Sequence, residues 1–161
     1  MRRLFQTLVL ASLLLVVTAC QPLSNGPEEK SRTTDTYSRD LSSNAAKIAF
    51  LQQYLATPSD IQATEFHIVF HDNSGGLVPG PSDWDIQAVI KVTPLDLPRW
   101  QADLTPLSAE DADLAWAYAL LPTDPTWSIT SEPQIFQGKE SNHIVATFAA
   151  EGIVFVRLWT Q

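Results

Sequence analysis

Two alternating segments constrain the fold of this chain more than any other feature. In residues 64–71, Phe66, Ile68 and Phe70 alternate with His67, Val69 and His71. In residues 84–92, Trp84, Ile86, Ala88, Ile90 and Val92 alternate with Asp85, Gln87, Val89 and Lys91. A period of two places one set of side chains on each face of a strand. Between them, residues 72–83 hold Asp72, Asn73, three glycines and two prolines, a composition for turns. The pair therefore predicts an antiparallel hairpin with a long connection at its tip.

Further strands are expected at 134–137, 143–149 and 153–160, the last two joined at Glu151-Gly152. Residues 154–158 are apolar on both faces apart from Arg157, which predicts a central position for that strand. Ile48, Leu51 and Leu55 share one helical face over residues 44–56, with Asn44 as the expected cap. A short helix with Trp100 is expected over 94–104. Another is expected from Ser108, where Ser108-Ala109-Glu110-Asp111 resembles a capping box, to Pro122. The expected fold class is α+β: an antiparallel sheet of about five strands with two or three helices packed on one face.

The beginning of the chain has a different character. Arg2 and Arg3 precede an apolar run of 14 residues, 4–17, broken by Gln6, Thr7 and Ser12. Val17-Thr18-Ala19-Cys20 follows, ending in the only cysteine of the chain. The run is short of the ~20 residues a spanning helix needs and has the layout of a secretory signal. Its ending resembles the lipobox of bacterial lipoproteins. The resemblance covers about twenty residues and implies that Cys20 is lipidated and becomes the first residue of the mature protein. It implies a bacterial cell envelope location, with the membrane as partner through the lipid on Cys20. Gln21, where Asp would favour inner-membrane retention, implies the outer membrane. Residues 1–19 are then a signal peptide and 20–43 the lipidated cysteine and a flexible polar tether, leaving 44–161 as a single globular domain.

Of 10 basic residues, removal of Arg2 and Arg3 leaves 8 against 18 acidic ones, a mature charge of −10. Such a charge repels nucleic acid, so nucleic-acid binding is not expected. With Cys20 acylated, no cysteine remains for a disulfide or for thiol catalysis. The sequence contains no P-loop, dinucleotide fingerprint, GxSxG or HExxH, and nothing in it calls for a cofactor.

Three constellations remain. The common apolar face of the hairpin requires paired residue numbers to sum to an even constant. A sum of 156 sets His71 opposite Asp85, and 154 sets it opposite Asp83. His71, Asp83 and Asp85 are thus candidates for a His–Asp site, weighed against an ordinary cross-strand polar pair. Asp72, Asn73, Asp83 and Asp85 could surround a calcium ion, weighed against local turn hydrogen bonds. The third is the connection itself. Leu77 and Val78, with Trp84 at the base, could meet a protein partner, or fold back onto the core. The tryptophans at 84, 100, 116, 127 and 159 could stack on sugars, but alternation assigns Trp84 and Trp116 to the core. The leading expectation is a non-enzymatic envelope module that binds a protein partner through residues 72–85. A periplasmic hydrolase centred on His71 and a small-ligand or glycan-binding module are the alternatives.

Overall fold

A computed structural model describes residues 33–73, 80, 82–140 and 142–160, all within one compact unit, Ser31–Gln161. The strands are β1 (Thr34–Tyr37), β2 (Ala63–His71), β3 (Asp83–Lys91), β4 (Thr105–Leu107), β5 (Gln134–Gln137), β6 (His143–Phe148) and β7 (Ile153–Trp159). They form one antiparallel sheet in the order β1-β2-β3-β7-β6-β5-β4. The helices are α1 (Asn44–Leu51), α2 (Leu97–Gln101) and α3 (Ala115–Leu120). Among the described residues no helix is long and apolar enough to cross a membrane.

The α+β class is as expected, but the sheet has seven strands where about five were expected. The two extra strands lie at its edges. β1 falls within residues 20–43, read from composition as tether, yet it pairs Thr34 with Phe70 and Tyr37 with His67. Main-chain pairing needs no apolar side chains, so a polar segment can serve as an edge strand. β4 contains Pro106, which an edge position tolerates because one of its sides makes no ladder bonds.

The expectation of helices on one face is also corrected. On one face, Phe66, Ile68, Ile86, Ala88, Ile90, Val145, Val154 and Val156 pack with Leu51 of α1 and with Leu97 and Trp100 of α2. On the other, Val89, Ala146, Phe148, Ile153 and Phe155 pack with Leu114, Ala117 and Trp127 around α3. We call these the α1/α2 face and the α3 face. The reason is β7, fourth of the seven strands: Ile153, Val154, Phe155 and Val156 are all at most 1% exposed. A strand apolar on both faces needs cover on both.

The helices are shorter than the periodicity suggested. Ser43, not Asn44, caps α1 by accepting from the Ala46 N–H, and Asn44 Nδ2 donates to the Gln62 carbonyl at 2.7 Å. The segment from Pro94 divides into a 3₁₀ turn and α2, and Ser108 caps a separate 3₁₀ turn ahead of α3.

The β6–β7 turn carries two local constraints. Gly152 has φ +65°, and a Cβ there would lie 2.4 Å from the Val92 carbonyl oxygen. Its N–H reaches Phe148 and its carbonyl takes the Val92 N–H at 2.8 Å, so the turn is locked to the end of β3. Glu151 accepts from Thr130 and Ser131, through backbone N–H and hydroxyl of each. Those donors, Ser131 first, hold its carboxyl down at about 2.

Gly152→Ala should cost ~2–4 kcal/mol in urea unfolding, from positive φ together with the carbonyl clash; a loss below ~0.5 kcal/mol would contradict this packing. The depressed Glu151 pKa contributes stability above the unfolded value, about 4.5, that is lost as pH falls toward about 2. The stability gap between wild type and Glu151→Gln should therefore shrink between pH 6 and pH 3, roughly following that titration. A gap independent of pH would refute the clamp.

Candidate functional site

The hairpin register sums to 154: His71 lies opposite Asp83, and Asp85 lies opposite Val69. His71 and Asp83 are neighbours across the strands, but their hydrogen bonds go elsewhere. His71 Nδ1 lies 3.3 Å from Thr33 Oγ1. Asp83 accepts from Asn73 Nδ2 at 3.2 Å and from Thr160 at 3.4 Å. Asp85 takes a two-pronged bond from Arg157, 3.1 Å from Nε and 3.0 Å from Nη2, and also accepts from Gln87. The structure therefore brings His71 and Asp83 side by side without a bond between them, and commits Asp85 to a guanidinium. The same commitment removes Asp85 from the oxygen set proposed with Asp72, Asn73 and Asp83. Among the described residues no group of three His, Cys, Asp or Glu side chains is placed to hold a metal ion.

All of these polar groups lie on the α3 face, beyond the reach of α3. Next to them His67 bonds Asp35 at 2.9 Å and stacks on Tyr37 at 4.0 Å, and Arg39 covers the Tyr37 ring. Arg157 also lies over Trp159. This end of the α3 face is polar and satisfies its own charges.

The α1/α2 face differs at the same end of the sheet. Register places Trp84 there, beside Phe70. Its backbone is pinned from both sides: its N–H donates to Thr160 Oγ1 at 3.0 Å, and its carbonyl accepts the Thr160 N–H at 2.9 Å. The indole Nε1 is buried with no hydrogen-bond partner among the described residues. A buried donor left unpaired costs ~1–3 kcal/mol.

Trp84 also separates two hollows. One, about 300 Å³, is walled by Gln53, Tyr54, Phe70, Trp84, Ile86 and Leu158. The second, about 470 Å³ and more open, shares Trp84 and Leu158 and is rimmed by Asp103, Lys139 and Glu140. A third, about 280 Å³, joins the second at Leu104 and His143 and is lined by Leu55, Trp100, Val145 and Val156. Together they form a cleft beside the segments that follow α1 and α2. Its floor is the row Ile86, Leu158 and His143, aligned across β3, β7 and β6 by register.

His143 is the one titratable group on that floor. Burial pushes its pKa below the usual histidine value, so the ring is neutral at pH 7, with one nitrogen to donate and one to accept. Among the described residues no carboxylate bonds it, so nothing orients it as a general base. Gly138 lets β6 begin there, since a Cβ at 138 would lie 2.9 Å from the His143 Cβ. The cleft thus offers apolar walls, an unsatisfied indole donor and a neutral imidazole, the chemistry of recognition.

Trp84, named from its place at the base of the connection, lines two of these hollows and is partly buried, where alternation assigned it to the core. Trp100 and Trp127 are the well-buried tryptophans, while Trp116 is only partly covered. Leu77, Val78 and Cys20 lie outside the described residues. His143 was missed. Its signal was present: it heads a strand whose alternate residue, Val145, is core. No family model, curated protein or solved structure matches the chain.

Trp84→Phe keeps the aromatic wall and removes the unpaired N–H. It should leave thermal stability unchanged or raise it, by up to ~1 kcal/mol in urea unfolding. A loss of more than ~1 kcal/mol would mean that the indole N–H is satisfied in solution.

Proposed function

We propose that this chain is a lipid-anchored bacterial envelope protein whose folded part is a non-catalytic module for binding a protein partner. The anchoring rests on the signal-like segment and on Cys20 at the end of Val17-Thr18-Ala19-Cys20. Acylation there would hold the chain on a membrane, since two or more acyl chains anchor stably where one does not. Gln21 favours the outer membrane. The binding reading is carried by one observation: Trp84, at the base of residues 72–85, has a buried indole N–H without a partner among the described residues, beside an apolar cleft. In a binding module such a donor is completed by what binds. Leu77 and Val78 extend the proposed contact along the connection.

Two measurements test this. Cys20→Ala should release the protein from membranes and lower its mass by the lipid; a membrane-bound protein of unchanged mass would end the anchoring proposal. For binding, the lipidated protein and a variant carrying Leu77→Ser, Val78→Ser and Trp84→Ala would be compared in capture from detergent-solubilised envelope, once circular dichroism shows that the variant folds. The expected result is a partner that also rebinds after purification, about tenfold more tightly to the wild type, or ~1.4 kcal/mol. A partner that binds both alike, or none at all, would refute the binding proposal.

A further inference from the structure

The cleft beside Trp84 also carries information about what it takes, and this inference rests on the protein-binding reading. Its walls are aromatic and aliphatic. Phe70 and Tyr54 meet at 5.8 Å and, with Ile86 and Leu158, enclose a space of about 300 Å³. That space suits an apolar side chain rather than a polar one. The adjoining indole N–H has no partner among the described residues and no exposed surface, so an acceptor reaches it once the Trp84 ring turns toward the cleft. A backbone carbonyl supplies one without bringing a charge into the apolar wall, whereas a carboxylate would have to be desolvated.

The rim adds a third requirement. Asp103 and Glu140 border the second hollow, and Asp60 lines a further polar hollow that shares Thr57, Pro58 and Arg99 with the third. Among the described residues none of these three carboxylates is paired with a cation. Arg99 is committed to Asp96 at 3.2 Å, which leaves Lys139 as the opposing charge among the rim residues. The rim is therefore net acidic, in keeping with the chain's charge of −8. Complementary charge at a rim steers association and excludes acidic partners.

We infer that the cleft takes one apolar side chain and its adjoining backbone carbonyl from a partner segment that carries basic residues. The side chain fills the space between Tyr54 and Leu158, the carbonyl accepts the Trp84 N–H, and the basic residues meet Asp103 and Glu140. Fatty acyl chains, which would fill the walls but gain nothing from the acidic rim, are the contrasting occupant.

The test is a random octapeptide display library selected on the full chain in detergent micelles, with resynthesised peptides titrated by fluorescence anisotropy. Selected peptides should combine a Leu, Phe, Met or Trp with neighbouring Lys or Arg. Trp84→Phe should weaken them about fivefold, the loss expected for one hydrogen bond. Asp103→Asn, which keeps the left-handed backbone preference required at φ 62°, and Glu140→Gln should each weaken them about threefold at low salt and little at 0.5 M salt. Sodium decanoate, titrated alongside, should bind weakly and without dependence on Asp103 or Glu140. Peptides without basic residues, peptides indifferent to Trp84→Phe, or no selection at all would overturn the inference, as would decanoate binding tightly in a Trp84-dependent way. If selection fails while the triple variant still loses its envelope partner, the partner's chemistry is refuted and the binding reading stands. If both fail, both are refuted.

Discussion

The fold depends on the burial of β7 from both sides. Ile153, Val154, Phe155 and Val156 are all essentially inaccessible to solvent, and no sheet of this size can hide four consecutive apolar residues with one layer of helices. Full burial of each such side chain is worth ~1.5–3 kcal/mol, comparable in total to the net stability of a whole domain. The need to recover that energy on both faces accounts for α1 and α2 on one side, and for α3 with Trp127 on the other. It also explains why the connections around the helices are built from 3₁₀ turns: short elements are enough to cover the centre of the sheet, and the sheet supplies most of the hydrogen bonds.

Short helices cover only part of a seven-stranded sheet, and β7 marks where the cover on the α3 face ends. Phe155 still meets Trp116, Tyr118 and Phe148, but the next residue on that face is Arg157. Across the sheet the same change occurs, from Val89 to Gln87 and Asp85 on β3. The sequence pattern along each strand therefore carries two kinds of information, the face a residue occupies and the distance to which a helix covers it.

The first kind was legible. Period-two alternation located β2, β3, β5, β6 and β7, and the requirement for a common apolar face reduced the hairpin to two registers, of which 154 is adopted. The second kind was less so. Val89 looked like the outward side of a half-buried strand, and only the position of α3 makes it core. Thr34–Tyr37 escaped detection because its pairing is through the main chain and its composition matches a tether. Within the candidate site, Trp84 was visible from its position, whereas His143 was obscured. An isolated histidine heading an apolar strand has no partner in sequence, and the residues that line the same hollow, Trp100, Leu104 and Val156, come from two distant segments. The choice between Asp83 and Asp85 beside His71 is settled by the register, and Asp85 is held instead by Arg157, 72 residues away.

The contrast between the two faces at this end of the sheet is what locates the site. On the α3 face, among the described residues, Asp85 holds Arg157, Asp83 accepts from Asn73 and Thr160, Asp35 bonds His67, and Tyr37 lies between His67 and Arg39. A surface that has satisfied itself gains little by binding, because each new contact must first break an existing one. On the α1/α2 face the opposite holds. Its walls are apolar and hollow, and among the described residues its buried donor has no partner and its rim carboxylates are paired with no cation. Covering such walls, completing that donor and neutralising that rim would each lower the free energy without undoing an internal bond, which is the physical basis for proposing this face as the one that binds.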